Sequence, residues 1–255
     1  MLPFEDSPRR EQGRFPFVML AVLLTNVAVF LYELTLSQSD LERFLLDYGA
    51  IPAIISGAMP SVQPSPIPPY LTIITAMFIH GGFLHIIVNM VFLWVFGDNV
   101  EASLGHFTFL VFYFVAGIFA TLTQVLAFPT SIVPTIGASG AIAGVLGAYL
   151  VLFPRAQVRV LLFFGPFFAL DRVAALIILF GWFVLQVFRG VGSLSPIAVP
   201  AGGVAYLAHV GGFVVGVLMT VAIRRLRDQP LGSFRGRFRW SCTIRTQSTD
   251  SVARW

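Results

Sequence analysis

The chain has 255 residues, 57% of them apolar or aromatic and only 11% charged. Soluble globular domains carry roughly 45–50% apolar and about 25% charged residues, so a soluble enzyme and a disordered chain are both excluded. The net charge of +4 rests on Arg alone; 16 of the 28 charged residues fall within 1–14 and 224–255, which excludes a conventional nucleic-acid binder and leaves a polytopic helical membrane protein.

About 20 apolar residues cross a hydrocarbon core ~30 Å thick. The first candidate run is Phe15–Leu36, with Pro16 early enough for a helix to tolerate it. Arg9, Arg10 and Arg14 precede this run, but it is too long for a signal h-region and lacks a small-residue cleavage site. It is therefore expected to stay as a span. Residues 37–79 form a long outward segment with an amphipathic stretch, Leu41–Leu46, and the Pro-rich Gln63–Pro69. A connection of that length is either functional or disordered. Further spans are expected over His80–Phe96, Phe107–Phe128, the shorter Ser139–Phe153, Val173–Phe188 and Ala201–Ile223. Between the third and fourth, Ser131–Gly137 contains Pro134 and Gly137 and is not expected to be regular helix.

Six spans put both termini on one side. Arg9, Arg10 and Arg14, the Arg155/Arg159/Arg172 connection and the eight Arg after Ile223 share that side, which makes it cytoplasmic. The expected fold is all-α: a polytopic bundle of six transmembrane helices over 15–225. A cytoplasmic tail covers 1–14, and a disordered Arg-rich cytoplasmic tail covers 226–255. Cys242 has no partner cysteine within the chain.

The fourth run is chemically unusual. Its 15 residues give about 22 Å of helix at ~1.5 Å per residue. With Pro154-Arg155 at the inner interface, Ser139 sits at a helix start below the outer surface. Irregular backbone at that depth must be buried in protein or line water. On the last run His209 is an ionisable group deep in an apolar helix, which marks a functional site by default. Gly212 and Gly216 share its face, and Gly140, Gly144 and Gly147 form a matching stripe on the fourth run. Such stripes let two membrane helices pack backbone to backbone. That packing would bring Ser139 and His209 together as a nucleophile with a general base. On the second run His85 and Asn89 are spaced i, i+4 and can both donate to an anionic oxygen, as can the Ser139 backbone N–H.

His85-Ile-Ile-Val-Asn89 resembles the HxxxN motif of the rhomboid family. Gly137-Ala-Ser139-Gly140 resembles its GxSG, and Ala208-His209-Val-Gly-Gly212-Phe-Val-Val-Gly216 its AHxxGxxxG. Motif order and host spans agree, as does Gly97…Glu101…Leu104-Gly105, over roughly 70–225. The resemblance implies a rhomboid-like six-helix bundle of the bacterial type, in a bacterial inner or plasma membrane. It would be an intramembrane serine protease with a Ser139–His209 dyad and no acidic third member. Asn89, His85 and the Ser139 amide would form the oxyanion site, with Gly137 in the motif loop. Substrates would be single-span membrane proteins in the bilayer, cleaved near the outer face, with the fifth span and outward loop as entrance and lid. No metal, cofactor or nucleic-acid partner is implied. Two positions depart from the pattern. Leu71-Thr72 replaces a common Trp-Arg pair, and Ala143 stands where some members place an aromatic ring against the base.

The remaining polar residues have blander expectations. His80 reads as interfacial or as a support for the loop, His106 as structural, Glu33 as a snorkelling or loop contact, and Asp98 and Glu101 as loop and capping residues. No Glu neighbours a histidine, so the zincin pattern fails. No span contains Asp, so an aspartyl mechanism fails, and Ala141 breaks the soluble nucleophile elbow. A transporter would show paired acids or symmetric broken helices, and neither is present. The rival of another class is a catalytically silent adaptor that binds transmembrane helices. The presence of both Ser139 and His209 argues against it.

Overall fold

The computed structural model describes residues 2–6, 15–60, 65–164, 167–194 and 204–227. From residue 228 onward the expected C-terminal tail lies outside these described residues. The elements in order are β1 (Leu2–Asp6), α1 (Phe17–Glu33), α2 (Gln38–Tyr48), α3 (Pro52–Ile55), α4 (Thr72–Thr75), α5 (Phe83–Leu104), α6 (His106–Ala127), α7 (Ser139–Leu152), β2 (Gln157–Phe164), β3 (Phe167–Ala174), α8 (Ala175–Ser193) and α9 (Tyr206–Leu226). Short 3₁₀ turns at Pro69–Leu71 and Ala76–Phe78 flank α4.

The protein is mostly helical. Among the described residues α5, α6, α8 and α9 are each long and apolar enough to cross a membrane. The apolar helices α1 and α7 are shorter, with 17 and 14 residues. α7 is the axis of the bundle: every residue from Ala141 to Tyr149 is buried, and it packs against α5, α6, α8 and α9. A helix apolar on all sides belongs in the middle of a bundle.

Glycine sets how closely α9 approaches. A Cβ at Gly212 would lie 2.1 Å from the Gly140 carbonyl oxygen, and one at Gly216 would lie 2.1 Å from that of Gly144. On the α6 side, a Cβ at Gly144 would meet Ala116 at 2.4 Å and one at Gly140 would meet Ala120 at 2.6 Å. Side chains are thus excluded along both faces of the α7 stripe, and the packing of three helices depends on that exclusion.

Two expectations need correcting. The second apolar helix does not end at Phe96 where the apolar run ends; α5 continues eight residues to Leu104 with Gly97, Asn99 and Glu101 buried. Those polar residues are retained because Glu101, fully buried, accepts the first backbone N–H groups of α1, from Val18 at 3.0 Å and Met19 at 2.6 Å, and also meets His106 Nδ1. Glu101 is a cap for another helix, placed where a negative charge complements the helix N-terminus. The chain then turns at Gly105, φ +86°, into α6.

The helical bundle also carries a small sheet that the all-α expectation did not include. β1, β2 and β3 form an antiparallel sheet in that order, with Leu2 opposite Leu161 and Gln157 opposite Ala174. Residues expected to be an N-terminal tail and an Arg-bearing connection are therefore paired. The period-2 pattern was present in the sequence: Val158 and Val160 are buried while Gln157 and Arg159, alternating with them, are exposed.

The α7–α9 contact makes a direct prediction. Gly216→Ala drives a methyl group into the Gly144 carbonyl and should cost about 1–3 kcal/mol, the usual penalty for overpacking. The Tm in detergent should fall by several degrees. Gly192→Ala, where an added Cβ meets nothing within 4 Å, should leave it unchanged; equal melting of the two variants would contradict this packing.

Candidate active site

Ser139 is the first residue of α7, with Ala138 rather than Ser139 in the capping position. Its hydroxyl is therefore free of a capping bond and available elsewhere. The backbone leading to it is irregular but held throughout. Ala50 and Thr135 exchange two backbone hydrogen bonds, 3.1 and 2.8 Å. Ala53 N–H donates to Ser131 O at 2.9 Å, Ser56 Oγ to Pro129 O at 2.6 Å, and Gly137 N–H to Ala76 O at 2.8 Å. The described residues of the long 37–79 segment are thus helices and turns that brace the loop before Ser139. Its first helix, α2, is capped by Ser37, whose Oγ accepts from Asp40 N–H at 3.2 Å.

Ser139, half-buried, lies 2.7 Å through Oγ from His209 Nε2. His209 is 7% exposed and sits one turn into α9. The two residues are 70 apart in sequence, and the contact exists because the glycine faces of α7 and α9 touch just below it. On its other side His209 Nδ1 is 2.8 Å from Gln186 Oε1 on α8, and the Trp182 ring lies over the imidazole with centroids 5.7 Å apart at 31°.

Gly137 gathers the remaining groups. Its φ of +112° is a conformation that side chains disfavour. A Cβ there would lie 2.6 Å from His85 Nε2 and 3.7 Å from Ser139 Oγ. The His85 ring and the Ser139 hydroxyl therefore flank one residue that has no side chain. Asn89, one turn along α5 from His85, is 5% exposed, and its buried Nδ2 has no hydrogen-bond partner among the described residues. A buried amide donor left unpaired is costly unless something else uses it.

Several residues have different surroundings from those expected. His80 is 1% exposed, its N–H donates to Glu33 at 3.0 Å, and its ring meets His85 edge-on at 5.0 Å, contacts that suit a support for the loop. Glu33 is 4% exposed and binds that loop rather than snorkelling. Thr72, in place of the common Arg, is buried and donates to Pro69 O at 2.6 Å. A cavity of about 350 Å³ in the 37–79 segment, lined by Leu46, Ile51, Ile54, Met59 and Ile132 among others, contains none of Ser139, His209 or Asn89. Among the described residues no group of three or more His, Cys, Asp or Glu could hold a metal ion.

Gln186 and Trp182 were not singled out from the sequence. The signal was available, since Gln186 is the one amide in the apolar run Val173–Phe188, and a polar side chain inside a membrane helix usually has a partner on a neighbouring helix.

Comparison with protein families matches a Rhomboid domain over residues 69–226. Among curated proteins, the chain is 30% identical over 223 residues to Rhomboid protein 1, mitochondrial, of Saccharomyces cerevisiae, covering 84% of this chain and 56% of that protein. It is 32% identical over 126 residues to Presenilin-associated rhomboid-like protein A, mitochondrial, of Danio rerio, covering 48% and 30%. It is 31% identical over 142 residues to Rhomboid protease GluP of Bacillus subtilis, covering 55% and 25%. The chain spans about half the length of the yeast protein and less of the other two. Relatives named as mitochondrial stand beside a bacterial one, so the comparisons support a membrane protein without singling out a bacterial membrane.

The geometry at Gly137 is open to test. Gly137→Ala places a methyl group against the His85 ring in a backbone conformation that costs on the order of 1–3 kcal/mol for a non-glycine residue. Its midpoint of unfolding in SDS should fall, and the ring resonances of His85 should shift; a wild-type midpoint with unshifted resonances would contradict the arrangement.

Proposed function

The chain belongs to the rhomboid family, and from that premise we propose that it is an intramembrane serine endopeptidase acting through Ser139 and His209. The observation that carries this reading is the 2.7 Å approach of Ser139 Oγ to His209 Nε2 inside an apolar bundle. A serine hydroxyl is a weak nucleophile until a base within hydrogen-bond reach takes its proton.

In this reading the Ser139 hydroxyl donates to His209 Nε2. As Oγ attacks a peptide carbonyl, the proton passes to the imidazole, which later delivers it to the departing amine. The acyl group on Ser139 is then hydrolysed by a water molecule that His209 deprotonates in the same way. The tetrahedral intermediate carries a negative oxygen. The unpaired Nδ2–H of Asn89, the His85 ring beside Gly137, and the Ser139 N–H at the start of α7 are the donors proposed to hold it.

The six apolar helices α1 and α5 to α9 are proposed as the spans of one membrane domain over 15–225. Both termini, 1–14 and 226–255, would be cytoplasmic on the positive-inside argument. The 14 residues of α7 give about 21 Å of helix, so Ser139 lies below the outer lipid surface. Substrates would be single-span membrane proteins whose helix unwinds near that face. The host is a lipid membrane; the relatives named mitochondrial, from yeast and zebrafish, weigh against assigning it to a bacterial inner membrane. A silent adaptor would have no use for a serine bonded to an imidazole, and no specific observation favours that reading.

In liposomes, Ser139→Ala should abolish cleavage of a single-span reporter while leaving the melting curve intact; equal cleavage by variant and wild type would end the protease reading. Asn89→Ala should lower kcat by 10-fold or more, up to the ~10²–10³ typical of a lost oxyanion donor. An unchanged kcat would remove Asn89 from the site.

A further inference from the structure

The Ser139–His209 pair works only in one of the two neutral forms of the imidazole. Nε2 must be bare to accept the serine proton, so the ring hydrogen must sit on Nδ1. Left alone, both forms are populated, and a ring 7% exposed has few partners to hold it in place. Something must therefore accept from Nδ1.

We infer that Gln186 is that group: a positioning residue that selects the proton-accepting form of His209 and ties it to the seating of α8. The inference rests on the protease reading above. Gln186 Oε1 lies 2.8 Å from His209 Nδ1, and a carbonyl oxygen can only accept. The hydrogen is thereby fixed on Nδ1, and Nε2 is left open toward Ser139. Trp182, one turn earlier on α8, covers the ring face at 5.7 Å. Ala143 on α7 provides no aromatic ring there, so the orienting contacts come from α8 instead. The triad logic is preserved with a neutral third member. An amide avoids the desolvation cost that a carboxylate would incur at this depth.

The position of Gln186 has a second consequence. α8 is the least buried of the four long apolar helices. It is seated on α9 by Phe183 stacked on Phe213 at 4.5 Å, and by Gly190, where a Cβ would lie 2.7 Å from Leu207. Phe183, Gln186 and Gly190 are spaced i, i+3, i+7 along one face. A movement of α8 that opened the bundle laterally would withdraw Gln186 and Trp182 together and leave the imidazole unoriented. His209 is a competent base only when α8 is closed against α9.

Two substitutions in the full-length protein in liposomes separate orientation from packing. Gln186→Met keeps the volume and removes the acceptor; Gln186→Glu keeps an acceptor and adds charge. Orientation predicts that Gln186→Met lowers kcat by about 10–100-fold, a part of what a positioned base contributes, with KM within about twofold. Gln186→Glu should recover most of that loss. A packing role predicts the reverse order. Wild-type kcat in Gln186→Met, or Gln186→Glu no faster than Gln186→Met, would overturn the inference. A second readout does not depend on turnover. In a Ser139→Ala background, 15N spectra of His209 should show the hydrogen on Nδ1 with Gln or Glu at 186 and a mixture of forms with Met. The same mixture with all three residues would overturn the inference even if the protein proved not to be a protease. Cleavage that survives Ser139→Ala removes the protease reading alone.

Discussion

The backbones of α7 and α9 touch, and the proposed chemistry depends on that contact. Gly140 and Gly144 on one helix meet Gly212 and Gly216 on the other closely enough that a single methyl group would collide with a carbonyl. Side chains of ordinary size would separate the helices by several ångströms, and Ser139 Oγ could not then stand 2.7 Å from His209 Nε2. In lipid there is little hydrophobic drive between helices, so close packing of this kind is itself a main source of association. The contact that stabilises the bundle is the contact that assembles the pair.

The rest of the molecule positions that contact. α7 is a short apolar helix that begins at Ser139, and the loop before it is fastened by the 37–79 segment through Ala50, Ala53, Ser56 and Ala76. At the other end of the bundle, Glu101 caps α1, and Arg227 Nη2 donates to the Leu104 carbonyl at 3.0 Å, closing the C-terminal end of α5. These are charged groups with defined backbone partners, and each fixes a helix end. With the ends fixed, His85 on α5 is held beside Gly137 at the start of α7, and Asn89 follows one turn along α5.

Much of this was legible from residue order. Apolar run lengths marked the helices, because bilayer thickness and helix rise leave little freedom. Glycine spacing on the fourth and sixth runs marked the close faces, because only glycine tolerates such an approach. What escaped notice depended on pairing between distant residues. The polar stretch after Phe96 reads as a loop until Glu101 is seen to face the start of α1. The strand pattern of Gln157–Phe164 is short, and its partner Leu2–Asp6 lies far away in sequence. His80 reads as surface until Glu33 receives its N–H. Gln186 is one amide among apolar residues, and nothing local reveals that His209 is its partner. Run length and small-residue spacing are local properties; hydrogen-bond partnership across the bundle is not.

The central claim is that His209 activates Ser139, and covalent trapping measures this most directly. The full-length protein in a bilayer would be exposed to a fluorophosphonate, which reacts with an activated serine, and the adduct located by mass spectrometry. The account predicts a single adduct on Ser139 in the wild type and its loss in His209→Ala. Labelling of Ser139 at the same rate without the imidazole, or no labelling of the wild type, would contradict it.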